Sequence, residues 1–152
     1  MTHSVLSATA IDHNEAVVRR FYAALDTGNL DEAFALLTSD YLVHLPDRPQ
    51  PGDLEEYQPS ASDLYTAFPD LRHTIEDQIA EGDRLVVRLT ARGTHRGPLG
   101  TLPATGRRMA VAETAIFLLD GNRIAEQWPQ VDALGMLQQL GAIPRGDEGS
   151  HA

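Results

Sequence analysis

The sequence contains no cysteine, which excludes disulfides, thiolate nucleophiles and cysteine-based zinc sites. Positive charge is scarce. Twelve Lys and Arg stand against 22 Asp and Glu, a formal net charge of −10. Such a surface repels a phosphate backbone, so no nucleic-acid partner is expected. No apolar run approaches the ~20 residues of a membrane helix, so no membrane partner is expected either. The opening MTHSVLSATAIDHNE lacks a basic region followed by an apolar core. No signal peptide is read there, and a cytoplasmic protein is expected. Histidines do not recur at metal-ligand spacing, so no metal is expected. Gly-x-Ser-x-Gly, phosphate-loop and dinucleotide fingerprints are all missing.

What remains is a chain of 152 residues with 42% hydrophobic content, suited to one domain with a real core. Residues 1–11 are small and polar and read as a mobile arm, 12–144 as the domain, and 145–152 as a frayed tail. Asp12 to Glu15 resembles a capping box opening a helix with apolar positions Val17, Val18, Phe21, Tyr22 and Leu25. Gly28 stops it, and Asn29 with Glu32 caps a second helix. Residues 40–45 read as a short strand and the proline-rich 46–53 as a loop. Helical spacing over 53–68 is interrupted by Pro59, with the better-formed part starting at Ser60. Strands follow over 71–79, 84–95, 107–119 and 123–131, with turns at Glu81-Gly82-Asp83 and Asp120-Gly121-Asn122. A short helix then ends at Gly141. Helices followed by long antiparallel strands predict an α+β fold, a curved sheet closed by helices into a cone with an apolar interior. That interior is the default ligand site.

The stretch RIAEQWPQVDALGMLQQLG, 123–141, carries the first candidate. Asp132 is either an N-cap or, if buried among apolar groups, a general acid or base. If it faces the interior of an unbroken strand, Ile124, Glu126, Trp128 and Gln130 share its side and Gln127 points away. A bulge near Pro129 reverses this. Glu113, among Val111, Ala115 and Phe117, is either ion-paired with Arg88 or Arg92, the favoured reading, or sits in the pocket with a raised pKa. Tyr22 is core, or a pocket hydroxyl. His44 is a core histidine or a catalyst. His95, before a Gly-Pro loop, anchors that loop or touches substrate.

Several patches in order, NEAVVRRFYAALDTGNLDEAFALLTSDYLVH, AFPDL, IAEGDRLVVRLTARGTHRG and EQWPQVDALGMLQQLG, resemble the SnoaL-like polyketide cyclases of the nuclear-transport-factor-2-like superfamily. The resemblance spans about residues 13–144. It implies an α+β cone, a homodimer and no metal or organic cofactor. It also implies an acid/base carboxylate for aldol-type ring closure, matching Asp132, with His44 and His95 at motif histidines. Two departures stand out. Gln127 replaces a frequent histidine, and Pro59 interrupts a usually continuous helix.

The resulting expectation is a cofactor-free enzyme for cyclisation or isomerisation of a small, apolar, polyketide-like carbonyl compound. Asp132 and His44 are its candidate catalysts. Tyr22, Phe68, Met109 and Trp128 are expected as walls, and His95 and Glu113 as polar contacts. The alternatives are an epoxide-hydrolase-like or oxygenase-assisting member of the same fold, and a non-catalytic ligand-binding or dimerisation module. A homodimer is expected to form through the outer sheet face bearing Val86, Thr90, Ile116 and Leu118.

Overall fold

The computed structural model describes residues 8–146; residues 1–7 of the expected arm and 147–152 of the expected tail lie outside the described residues. Helix α1 spans Ala8–Asp26. It begins upstream of Asp12, so Asp12 to Glu15 sits within the helix and does not open it. Val17, Val18, Phe21, Tyr22 and Leu25 form its buried stripe. Gly28 takes φ +79°, the left-handed conformation that lets the chain reverse after a helix. Asn29 caps α2 (Leu30–Ala35), its side chain accepting from Glu32 N–H. That helix is short because Leu37 already enters β1 (Leu37–Val43).

The proline-rich segment ends in a two-residue strand, β2 (Gly52–Asp53), antiparallel to β1. Helix α3 runs unbroken from Leu54 to Ala67 through Pro59. The expected interruption is absent. Pro59 removes one N–H, and the carbonyl it would have bonded belongs to exposed Glu55, where water can serve.

The remaining strands are β3 (Arg72–Glu81), β4 (Arg84–Thr94), β5 (Arg108–Asp120) and β6 (Arg123–Val131), before helix α4 (Ala133–Gln139). One six-stranded sheet has the order β2-β1-β6-β5-β4-β3. Strands β3 to β6 are an antiparallel meander, and β1 joins β6 in parallel. The α+β architecture is as expected. Along β4 and β5 odd-numbered side chains are buried and even-numbered ones, apart from Thr94 at the end of β4, point outward, the period-two signature of a one-sided sheet.

Two bulges break that alternation elsewhere. Ile75 pairs with Leu89 but Asp77 with Arg88, so one extra residue is accommodated on β3. Gln78 and Ala80 therefore turn inward, and Ile79 is exposed, contrary to an unbroken alternation through 79. Leu119 pairs with Ile124 but Leu118 with Glu126, so Ala125 is extra on β6. Ile124 and Gln127 both end up buried as a result. The main core packs α1 and α2 on the sheet. A second, smaller core gathers Phe68, Leu71, Ala91, Met109, Val111 and Leu140. Among the described residues no helix is long and apolar enough to cross a membrane.

Candidate active site

Between α1, α3 and the inner sheet face lies a cavity of about 220 Å³. Phe21, Leu25, Val43, Leu45, Ala61 and Leu64 supply apolar walls; Tyr22, Tyr57, Tyr65, His73, Glu113 and Gln127 are among the polar residues that line it. This is the composition of a small-molecule site, mostly apolar with a few convergent polar atoms.

The polar groups are organised around His73, near the start of β3. Asp26, the last residue of α1, takes two bonds from it. The His73 N–H donates to Oδ2 at 2.7 Å, and Nδ1 lies 2.8 Å from Oδ1. Tyr65 O–H donates to the same Oδ1 at 2.8 Å. Burial pushes the Asp26 carboxyl up, but the bonds and charge of His73 and the Tyr65 hydroxyl outweigh it and hold its pKa below the usual value. Asp26 is thus a carboxylate, an acceptor only, so Nδ1 must carry the proton of the shared bond. Nε2 is left facing Glu113, whose Oε2 is 3.7 Å away. That separation is too long for a direct hydrogen bond.

Glu113 lies on the inner face of β5 and is buried. Burial raises its pKa; the nearby His73 charge works against this and Asp26 adds to it. The expected ion pair with Arg88 or Arg92 is not formed. Those arginines occupy even-numbered, outward positions of β4, on the far side of the sheet. The Tyr22 ring lies 4.9 Å from the His73 ring, tilted by 44°, and its hydroxyl is buried without a hydrogen-bond partner among the described residues. Burial drives the Tyr22 pKa well up, so it remains a donor. Gln127 accepts from Tyr41 O–H at 2.8 Å. Its Oε1 is thereby engaged, and its Nε2 donors have no partner among the described residues.

The residues singled out from sequence divide sharply. Tyr22 and Glu113 line the cavity. Asp132 does not: it is exposed and caps α4, accepting from Gly135 N–H at 2.9 Å. The bulge at Ala125 turns Gln127, Pro129 and Val131 inward, placing Trp128 and Asp132 on the other parity. His44 lies on the outer face. Its ring is stacked on Trp128 at 4.8 Å, and Nε2 is 2.8 Å from Glu126 Oε2. Phe68 and Met109 belong to the second core, outside the cavity wall. His95 is fully buried beside Phe68 and ties the loop after β4, with Nδ1 accepting from Thr105 N–H at 3.2 Å. It anchors that loop and does not reach the cavity.

Asp26, His73, Tyr65 and Gln127 were not anticipated as site residues. Asp26 looked like the polar end of a helix. His73 was visible only as a polar residue on an apolar strand face. Gln127 stood out in the sequence as a departure, without an assigned direction. Among the described residues no group of three or more His, Asp or Glu side chains is arranged to hold a metal ion.

A curved sheet closed by helices over a polar-studded apolar cavity defines the class, a cone-shaped α+β small-molecule protein. The model of the SnoaL-like polyketide cyclase family matches residues 16–140. The aklanonic acid methyl ester cyclase DnrD of Streptomyces peucetius is 32% identical over 130 residues, covering 82% of this chain and 88% of DnrD. The structure of IdmH from Streptomyces antibioticus, a candidate polyketide cyclase, superposes with TM-score 0.76 at 29% identity, over 84% of this chain and 98% of IdmH. AclR from Streptomyces galilaeus shares the fold, with TM-score 0.82 at 21% identity over 90% of this chain and 86% of AclR. The chain belongs to the SnoaL-like polyketide cyclase family.

Proposed function

We propose that this protein is a cytoplasmic, cofactor-free cyclase that closes a ring by intramolecular aldol addition in a small, apolar polyketide-like carbonyl compound. The observation that carries the reading is the approach of His73 Nε2 to Glu113 Oε2, 3.7 Å apart at the wall of the apolar cavity, with Asp26 behind the imidazole.

The chemistry follows from the geometry. Nε2 of His73 takes a proton from the carbon next to a substrate carbonyl. Gln127 N–H and Tyr22 O–H stand ready to donate to the resulting enolate oxygen, which stabilises charge only as it develops. The carbanion carbon bonds to a second carbonyl carbon of the same molecule. Glu113, whose burial favours the protonated form, gives its proton to the alkoxide formed there. One proton has been gained by His73 and one lost by Glu113, and the short separation lets it return. The product is an isomer of the substrate. Acid–base help of this kind is worth about 10²–10⁴-fold, and orientation in the cavity adds to it.

The test is incubation of the purified protein with aklanonic acid methyl ester, the compound in the name of the related cyclase, followed by mass spectrometry. Conversion to an isomer of unchanged mass, lost in His73→Asn, is the expected result. Conversion at an unchanged rate in His73→Asn overturns the assignment. The reading includes a homodimer. Val86, Ile116, Leu118 and Trp128 lie on one half of the outer sheet face, with Ile116 37% exposed, and two-fold pairing would bury them. Light scattering showing a monomer at micromolar concentration contradicts it.

A further inference from the structure

All twelve basic residues of the chain are arginine, and the formal charge is −10. Four of them nevertheless converge on one groove of about 620 Å³ on the outer sheet face. Arg72 and Arg92 are direct cross-strand partners on β3 and β4. Arg108 stands across from Thr94, and Arg96 follows in the loop. All four are exposed, and none forms a salt bridge among the described residues.

Like charges directly opposed on a sheet are destabilising, so the fold carries this arrangement at a cost. The single carboxylate in the groove, Asp70, feels the Arg96 charge but offsets one of the four charges at most. Both oxygens of Asp70 are committed to Thr94, accepting from N–H and Oγ1–H at 2.7 Å each. The other wall is fixed as well, because both ends of the Gln139 amide are bonded to the Ala110 backbone. The groove is on the opposite face of the sheet from the cavity, since Arg92 and Arg108 occupy outward positions of β4 and β5. It is also distant from the apolar half of that face. Arg92 is six residues along β4 from Val86, roughly 20 Å at strand rise.

We propose that this groove is a second ligand site, for a compact polyanion of the phosphate-ester or diphosphate class. Guanidinium groups match phosphate oxygens in bidentate fashion. A phosphate monoester carries about −1.5 to −2 charge at neutral pH, which suits several arginines better than a single carboxylate would. The ligand is compact for an electrostatic reason. Screening confines the arginine field to roughly 8 Å at physiological ionic strength, and the chain as a whole carries a formal charge of −10. A large acidic partner would meet that repulsion, whereas a small polyanion would not.

The probe is inorganic pyrophosphate, titrated calorimetrically against the full-length protein, with acetate as the monoanion. Saturable binding is expected, weaker for acetate, weakened by added NaCl, and reduced at least about tenfold in Arg92→Gln/Arg108→Gln. Melting curves provide the control for folding. The double variant is expected to melt at or above the wild-type temperature, because repulsion is relieved, while its stabilisation by pyrophosphate is lost. Absence of binding up to about 10 mM pyrophosphate overturns the proposal. So does binding that persists unchanged in the double variant, or acetate binding as tight as pyrophosphate.

Discussion

His73 and Asp26 are 47 residues apart in the chain and joined twice, by the backbone N–H to Oδ2 and by imidazole Nδ1 to Oδ1. The pair fixes the tautomer of the ring and aims Nε2 at the cavity. Asp26→Asn is expected to reduce cyclisation by about 10²–10⁴-fold with little change in KM. Because Asp26 acts through His73, the ring nitrogens supply the decisive readout. In ¹⁵N-resolved NMR the wild type should show the proton on Nδ1, and the variant a mixture. A variant with unaltered tautomer and full activity would remove Asp26 from the mechanism.

Glu113 makes a statement about pH. Its folded pKa is raised above the ordinary 4.5, first by burial. The folded state therefore holds this proton more tightly than the unfolded chain. Its stabilising contribution is present below 4.5 and is lost as pH rises through the raised value. Asp26 acts in the opposite sense, since its lowered pKa contributes stability that disappears as pH falls through it. Glu113→Gln should melt at a higher temperature than wild type above this window, with a flatter dependence on pH across it, and should be inactive. Melts across the range, beside activity, check both. Equal pH slopes in the two proteins would contradict the assignment.

Tyr22 has a buried hydroxyl without a partner among the described residues. Such a group costs about 1–3 kcal/mol relative to a satisfied one. Tyr22→Phe is expected to leave the melting temperature unchanged or raised while lowering turnover by about 10²–10³-fold. A fall in both would mean that the hydroxyl is structural.

Asp132 separates capping from chemistry. Asp132→Ala removes the acceptor of the Gly135 N–H and should cost about 0.5–2 kcal/mol, read as a lower melting temperature. Asp132→Asn retains an oxygen acceptor and should keep both stability and activity. Loss of activity in Asp132→Asn at unchanged stability would return the catalytic role to this residue.

The period-two pattern of β4 and β5, the turns at Gly82 and Gly121, and the cap at Asp132 were all legible in the sequence, because each depends on neighbours within a few residues. The buried position of Glu113 followed from the same alternation. Its partner did not. The choice between an arginine and a histidine rested on which face of β4 carries Arg88 and Arg92, and on β3 bringing His73 inward. Composition excluded thiol chemistry for a similarly local reason, since a residue type that is absent can do nothing. The tertiary structure decided the site. One extra residue at Ala125 reverses the faces of β6, so Gln127 enters the cavity while Trp128 and Asp132 stay out. Asp26 meets His73 only because the end of α1 packs against the start of β3. A bulge and a helix docking are settled by the balance of many distant contacts, and no local pattern records that balance.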